Sequence, residues 1–215
     1  MNEQEAAPRE GGDGRREVLG DEALGRLIAG HERYLRGGSR PAALRPETLA
    51  ELVQGQRPYA AILGCSDSRV PPELIFDAGP GELFVIRVAG NVIPAEVAAS
   101  LQYAGAHLRT PLFVVLGHEG CGAVKAALDC RLEGARQLSR IQLLVESILP
   151  ALDGVDAGLS PDEQLSLAVE ANVRWTVRAI RESPEGKARI REGVYRLHGA
   201  VYDLSSGRVR FLAED

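Results

Sequence analysis

The spacing of apolar and polar residues along the chain predicts one α/β domain, in which short strands alternate with helices. Three apolar runs have the length and composition of strands in a mostly parallel sheet, and the first and third are typical of strands buried on both faces. These runs span residues 59–64, 83–88 and 111–117. Because helical patterns separate them, we expect helices to flank the sheet.

Helices are predicted where apolar residues recur every three to four positions. The segment 160–163 reads SPDE, a capping box with proline at the first helical position. The tail, 193–211, is expected to form two short strands around a turn at 205–207. The predicted helices are 21–36, a short one after Pro46, 94–108, one opening at Cys121, 138–152 and 160–181.

The composition is that of an ordinary globular protein, since 45% of the 215 residues are hydrophobic and 26% are charged. A net charge of -5 without a cluster of Lys and Arg argues against a nucleic-acid partner. No apolar run reaches the ~18–20 residues of a membrane span, and the N-terminus lacks a signal-peptide layout, so we expect a cytoplasmic protein without a membrane partner. Residues 1–17 are predicted to be a disordered tail, and 18–215 a single domain.

The three cysteines and one histidine carry the candidate chemistry. An odd, low cysteine count favours metal binding or catalysis over disulfides. Cys65 and His118 each follow or end a predicted strand, and Cys121 lies on the turn after His118, so their side chains are expected to converge at one edge of the sheet. Each residue alone is more often a packing residue. Together they predict a Zn²⁺ site with an open fourth position.

Two further features refine this site. Cys130 lies nine residues after Cys121 on the same predicted helix, which places it on the opposite side, and we interpret it as a packing residue. Asp67 and Arg69 follow Cys65 closely, and a purely structural zinc site would have no use for this carboxylate and guanidinium.

The motifs CSDSRVP (residues 65–71) and GHEGCG (117–122) resemble the two signature segments of the β-class carbonic anhydrases. The resemblance extends to LFVIRVAGN (83–91) and HGAVYD (198–203), and it covers roughly residues 24–212. It implies a catalytic domain that hydrates carbon dioxide reversibly to bicarbonate and a proton, by means of hydroxide bound to one zinc ion per subunit.

The resemblance also assigns roles to individual residues. Cys65, His118 and Cys121 correspond to the zinc ligands, and Asp67 and Arg69 to the catalytic pair. The carboxylate would orient the attacking hydroxide, and the guanidinium would keep the carboxylate ionised. Some relatives have a closed state in which this carboxylate becomes a fourth ligand, so Asp67 is expected to bind the metal only in such a state.

The substrate pocket and the assembly follow from the same resemblance. Gln56 and Gly122 are assigned to the pocket, and the glutamine commonly comes from the neighbouring subunit. The N-terminal helices are expected to pack on a partner subunit, so a homodimer or homotetramer is implied. Arg87 and Tyr202 match two members of a regulatory bicarbonate pocket, but Ile62 stands where that pocket has a tryptophan. We therefore expect weak or absent bicarbonate inhibition.

Alternatives remain at this point. Relatives with the same motifs hydrolyse carbon disulfide or carbonyl sulfide, and a zinc-stabilised scaffold without turnover is a further alternative. His31 is expected on the polar side of the first helix, and neither it nor His107 or His198 is assigned a catalytic role.

Overall fold

A five-stranded sheet forms the centre of the computed structural model, which describes residues 19–40, 46–193 and 195–213. The strand order is β2-β1-β3-β4-β5. β1 to β4 run parallel, and β5 is antiparallel to β4. The predicted tail at 1–17 lies outside the described residues. The strands are β1 (Ala60–Gly64), β2 (Leu83–Arg87), β3 (Leu112–His118), β4 (Arg196–Tyr202) and β5 (Val209–Phe211).

The register of the central strands positions the candidate site. Gly64, the last residue of β1, pairs with Arg87 of β2 on one side and Leu116 of β3 on the other. Cys65 therefore leaves β1 at the same edge at which His118 ends β3. The buried runs predicted for β1 and β3 are confirmed, because β1 is buried along its whole length and β3 nearly so.

Helices flank this sheet, which confirms the predicted α/β fold class. The predicted helix at 138–152 is divided into an α-helix at Ser139–Ile148 and a 3-10 turn at Leu149–Leu152. A second 3-10 turn spans Ala89–Asn91. The helices are α1 (Gly20–Leu35), α2 (Pro46–Val53), α3 (Pro72–Ile75), α4 (Ala95–Ala106), α5 (Gly122–Glu133), α6 (Ser139–Ile148), α7 (Pro161–Glu182) and α8 (Pro184–Glu192).

Two helices were not predicted from the sequence. α3 has only four residues, too few to show helical periodicity. α8 has no buried residue, so it lacks the apolar stripe by which a helix is detected. Its capping offers the missing signal, because the Ser183 hydroxyl accepts a hydrogen bond from the Gly186 N–H and Pro184 is the first helical residue.

α7 packs closely on β3 and β4 because glycines face it. A Cβ on Gly117 would lie 2.5 Å from Val173 Cγ2, and a Cβ on Gly199 would lie 2.9 Å from Val173 Cγ1. Larger residues at these two positions would push the helix away from the sheet. None of the helices among the described residues is both long and apolar enough to cross a membrane.

The expected position of His31 on the polar side of α1 is wrong. His31 is buried, its Nδ1 lies 3.0 Å from the Ile75 carbonyl oxygen, and its Nε2 accepts the Val209 N–H at 3.0 Å. The buried positions of α1 are 20, 23, 27, 30 and 31, so His31 belongs to the apolar stripe. It joins α1 to α3 and β5 through backbone hydrogen bonds.

Candidate metal centre

The side chains of Cys65, His118 and Cys121 converge beyond the carboxyl ends of β1 and β3. Their ligand atoms all lie within 4.8 Å of one another, and all three residues are buried. The two sulfur atoms are 3.9 Å apart. Two sulfurs bound tetrahedrally to one zinc ion at about 2.3 Å would be separated by ~3.8 Å, so this spacing fits zinc.

His118 presents one nitrogen to the centre and anchors the other. Its Nδ1 lies 3.0 Å from the Glu119 carbonyl oxygen, a contact that places the proton on Nδ1. The Nε2 atom is buried and has no hydrogen-bond partner among the described residues. Since a buried nitrogen without a partner is costly, this arrangement suits a nitrogen that binds a metal ion.

The backbone environments of the two sulfurs differ. Cys65 Sγ accepts the Gly90 N–H at 3.4 Å. Cys121 is the N-cap residue of α5, where the helix dipole favours a thiolate. The hydrogen bond between the two cysteines lowers the pKa of Cys65 and raises the pKa of Cys121, so Cys65 is the thiolate of this pair.

Asp67 and Arg69 form a pair beside this centre. Arg69 donates from Nε to Asp67 Oδ1 at 2.9 Å and from Nη2 to Oδ2 at 2.7 Å. Its backbone N–H also donates to Oδ1, at 2.9 Å. These bonds hold the pKa of Asp67 far below its usual value, so the carboxylate is ionised at any working pH. Asp67 Oδ2 lies 3.9 Å from His118 Nε2, close enough to contact a molecule on the metal.

Arg87 makes hydrogen bonds next to the metal ligands that the sequence did not predict. Its Nε donates to the Cys65 carbonyl at 2.9 Å and its Nη2 to the Asp67 carbonyl at 2.5 Å. The side chain thus fixes the backbone that carries a candidate ligand and the candidate catalytic carboxylate. Because these contacts depend on the register of β2 against β1, no local sequence pattern indicates them.

The remaining candidate residues lie in different elements of the fold. Gly122 directly follows Cys121 as the first residue of α5. Gln56 is exposed in the loop between α2 and β1. Tyr202 is buried at the end of β4, and its hydroxyl lies 2.9 Å from that of Tyr34. Cys130 is half-buried, packs against the core and is not part of the cluster.

Comparison with known proteins agrees with this geometry. A family model described as carbonic anhydrase matches residues 60–209. Carbonic anhydrase 2 of Mycobacterium tuberculosis is 39% identical over 184 residues, which cover 85% of this chain and 87% of the relative. The carbonic anhydrase of Mycolicibacterium smegmatis is 38% identical over 185 residues, which cover 85% of this chain and 88% of the relative.

A solved structure supports the same conclusion at the level of the fold. The β-carbonic anhydrase CafA of Aspergillus fumigatus superimposes with a TM-score of 0.73 at 30% identity, covering 89% of this chain and 92% of that one. The family model matches more than half of the chain. The chain therefore belongs to the β-class of the carbonic anhydrase family.

Proposed function

We propose that this protein catalyses the reversible hydration of carbon dioxide to bicarbonate and a proton, with one zinc ion per subunit held by Cys65, His118 and Cys121. The observation that carries the proposal is the buried cluster of two sulfurs and one unpartnered imidazole nitrogen, at a spacing that fits tetrahedral zinc. Three protein ligands leave a fourth position for water, as in catalytic rather than structural zinc sites.

When bound there, zinc supplies the Lewis acidity that makes water a nucleophile near neutral pH. Asp67 accepts a hydrogen bond from the attacking water and directs its lone pair to the carbon of carbon dioxide. Arg69 keeps the carboxylate ionised and in one orientation through two parallel hydrogen bonds. Arg87 fixes the backbone beneath both ligand and carboxylate, so the oriented geometry exists before substrate arrives.

The substrate pocket and the assembly belong to the same proposal. Gly122, the first residue of α5, leaves room beside the metal ligands because it has no side chain. Gln56 acts in the pocket of a neighbouring subunit, in a homodimer or homotetramer whose N-terminal helices pack on the partner. Tetrameric β-carbonic anhydrases of Sordaria macrospora support this assembly, since one superimposes with a TM-score of 0.73 at 25% identity, covering 89% of this chain and 94% of that one.

The open and closed states of the site are two arrangements of one carboxylate. Asp67 is paired with Arg69, the arrangement that we assign to the open state. In the closed state Asp67 would leave Arg69 and become a fourth ligand. A structure determined at acid pH and another at alkaline pH would test this state, and an Asp67–Arg69 pair retained in both would exclude it.

Carbon dioxide hydration is favoured over the alternatives. The relatives and structures compared above are carbonic anhydrases, which gives no support to hydrolysis of carbon disulfide or carbonyl sulfide. A scaffold without turnover would have no use for the oriented pair of Asp67 and Arg69 beside the metal ligands.

An Asp67→Asn variant tests the function directly. The amide keeps the shape of the side chain but cannot serve as the ionised acceptor, so hydration should fall about 10²- to 10⁴-fold while the zinc content stays unchanged. Stopped-flow assay of hydration and metal analysis on the same sample measure both quantities. Asp129→Asn, which neutralises a carboxylate paired with Lys125 on α5, is the matched control. A wild-type protein that binds zinc but does not hydrate carbon dioxide would refute the proposal.

A further inference from the structure

Two buried polar side chains on α7 lie next to the turn that contacts Cys65. Asn172 and Thr176 are one helical turn apart, and each is only 1% exposed. Val169 and Val173, on the buried side of the same helix, are apolar. Burial of an amide or a hydroxyl costs free energy unless the group is hydrogen-bonded, so packing alone does not explain these two residues.

Both side chains hold the turn Ala89–Asn91. Asn172 Nδ2 donates to the Gly90 carbonyl at 2.8 Å, and Thr176 Oγ1 donates to the Asn91 carbonyl at 3.3 Å. Gly90 and Asn91 are consecutive residues with positive φ, +68° and +43°. Such a backbone is strained at Asn91, and it persists where surrounding contacts determine it. The two donors from α7 are contacts of this kind.

The same turn supplies a hydrogen bond to a candidate metal ligand. The Gly90 N–H donates to Cys65 Sγ at 3.4 Å. The other cysteine is placed differently, since Cys121 is the N-cap residue of α5 and its side chain accepts no hydrogen bond from the first turn of that helix. The Gly90 donor depends on a strained turn that a distant helix keeps in place.

An N–H group that donates to a thiolate withdraws charge from the sulfur. The thiolate then gives less charge to its metal ion, which leaves the ion more electrophilic. This matters most where two thiolates already neutralise the formal charge of a divalent ion. The position of the Gly90 N–H therefore bears on the reactivity of the centre and not only on its stability.

We propose that Asn172 and Thr176 are positioning residues, which fix the Ala89–Asn91 turn so that the Gly90 N–H stays on Cys65 Sγ. They thereby set how much charge this thiolate gives to the metal. The inference deepens the proposed zinc-dependent function and rests on it. The hydrogen bonds of both side chains go to the turn and not to Cys65, His118 or Cys121, so both residues act through Gly90.

Cobalt(II) substitution provides a readout that a general structural role would not move. The energy of the thiolate-to-cobalt charge-transfer band reports the charge on the sulfur. Asn172→Leu and Thr176→Val remove the two donors at nearly constant shape. We expect the band to shift to lower energy in both variants, and hydration by the zinc forms to fall about ten- to a hundredfold.

Two matched variants separate the hydrogen bonds from packing. Thr176→Ser keeps the hydroxyl and loses a methyl group, so its band should stay at the wild-type energy. Gln164 is also a buried amide on α7, and its Nε2 donates to the carbonyls of Ala157 and Leu159, which are remote in sequence from the metal ligands. Gln164→Met should likewise leave the band unchanged.

Two results would overturn the inference. One is an unshifted band in both Asn172→Leu and Thr176→Val. The other is a shift in Thr176→Ser or Gln164→Met as large as that in Thr176→Val. If Asn172→Leu does not fold, the comparison of Thr176→Val with Thr176→Ser tests the inference alone. Failure of the proposed function is recognised separately, because the wild-type protein would then bind no cobalt through its thiolates or would not hydrate carbon dioxide.

Discussion

At the scale of single residues, the proposed site has three parts: residues that could hold a metal ion, a carboxylate proposed to act on the substrate, and residues that keep both in place. The sequence predicted the first two, since strand ends and the motif spacing bring Cys65, His118 and Cys121 together beside Asp67. It did not predict the third. Arg87 and Asn172 act through backbone carbonyls far away in sequence, and those contacts exist only once the strands and α7 are in register.

Substitution of Arg69 by lysine tests whether the geometry of the guanidinium matters beyond its charge. Lysine keeps the charge but cannot make two parallel hydrogen bonds to Asp67. We expect hydration to fall about tenfold or more, with zinc content unchanged. Arg131→Lys is a matched control, since Arg131 also bonds through two nitrogens, to Asp153, away from the metal centre. Equal activity of Arg69→Lys and wild type would show that charge alone suffices.

Inhibition by bicarbonate is expected to be weak or absent. Ile62 is fully buried where a regulatory pocket would have an indole. Arg87 already uses Nε and Nη2 on backbone carbonyls. The Tyr202 hydroxyl bonds to Tyr34, and burial raises the pKa of Tyr202 to about 12. Hydration rates at constant pH and ionic strength, with bicarbonate exchanged for chloride, measure this, and a sigmoidal decline with bicarbonate would contradict it.

At the scale of elements, α1 is joined to the loop that follows α3 by polar contacts, in addition to the packing of its apolar stripe. Asp77, with a side chain 4% exposed, accepts hydrogen bonds from Arg33 of α1 and from Arg40 beyond it. Burial acts to raise the pKa of Asp77, but these bonds outweigh burial and hold that pKa below its usual value. Helix periodicity predicted α1 to within one residue at each end. It does not indicate which charged residues of α1 form ion pairs with other elements.

Asp77→Asn should therefore destabilise the protein in a pH-dependent way. The lowered pKa means that Asp77 contributes stability above its usual pKa of about 3.9, and that this contribution is lost as pH falls through the lower folded value. At pH 7 the variant should lose about 2–4 kcal/mol of unfolding free energy, because two guanidinium groups lose their buried partner. The difference from wild type should shrink below about pH 4.

Urea unfolding at several pH values and one fixed protein concentration measures this difference. Asn also tolerates the positive φ of Asp77, +45°, so backbone strain does not confuse the comparison. Asp129 forms an exposed ion pair with Lys125, so Asp129→Asn should change the free energy of unfolding far less than Asp77→Asn does. A difference at pH 7 that persists undiminished at pH 3 would show that the charge of Asp77 is not its source.

At the scale of the whole molecule, sequence patterns predicted the order of strands and helices because buried runs and capping boxes are local signals. α8 escaped prediction because its stability comes from caps and neighbours rather than from an apolar face. The assembly of subunits depends on contacts between chains, which local sequence patterns do not indicate. Gln56 illustrates this, since it is exposed in a loop of its own subunit. The proposed role of Gln56 is therefore in the pocket of a second subunit.

Subunit mixing tests that role. We expect Gln56→Ala and Asp67→Asn each to have low activity as uniform oligomers. In a mixed dimer, an Asp67→Asn subunit can lend its Gln56 to a Gln56→Ala subunit, whose own Asp67 is intact. Denaturing and refolding the two variants together at equal concentrations should then restore about a quarter of wild-type hydration, because about half of the dimers are mixed and each has one complete site. If Gln56 serves its own subunit, the mixture shows only the mean of the two variants, and the proposed exchange between subunits is refuted.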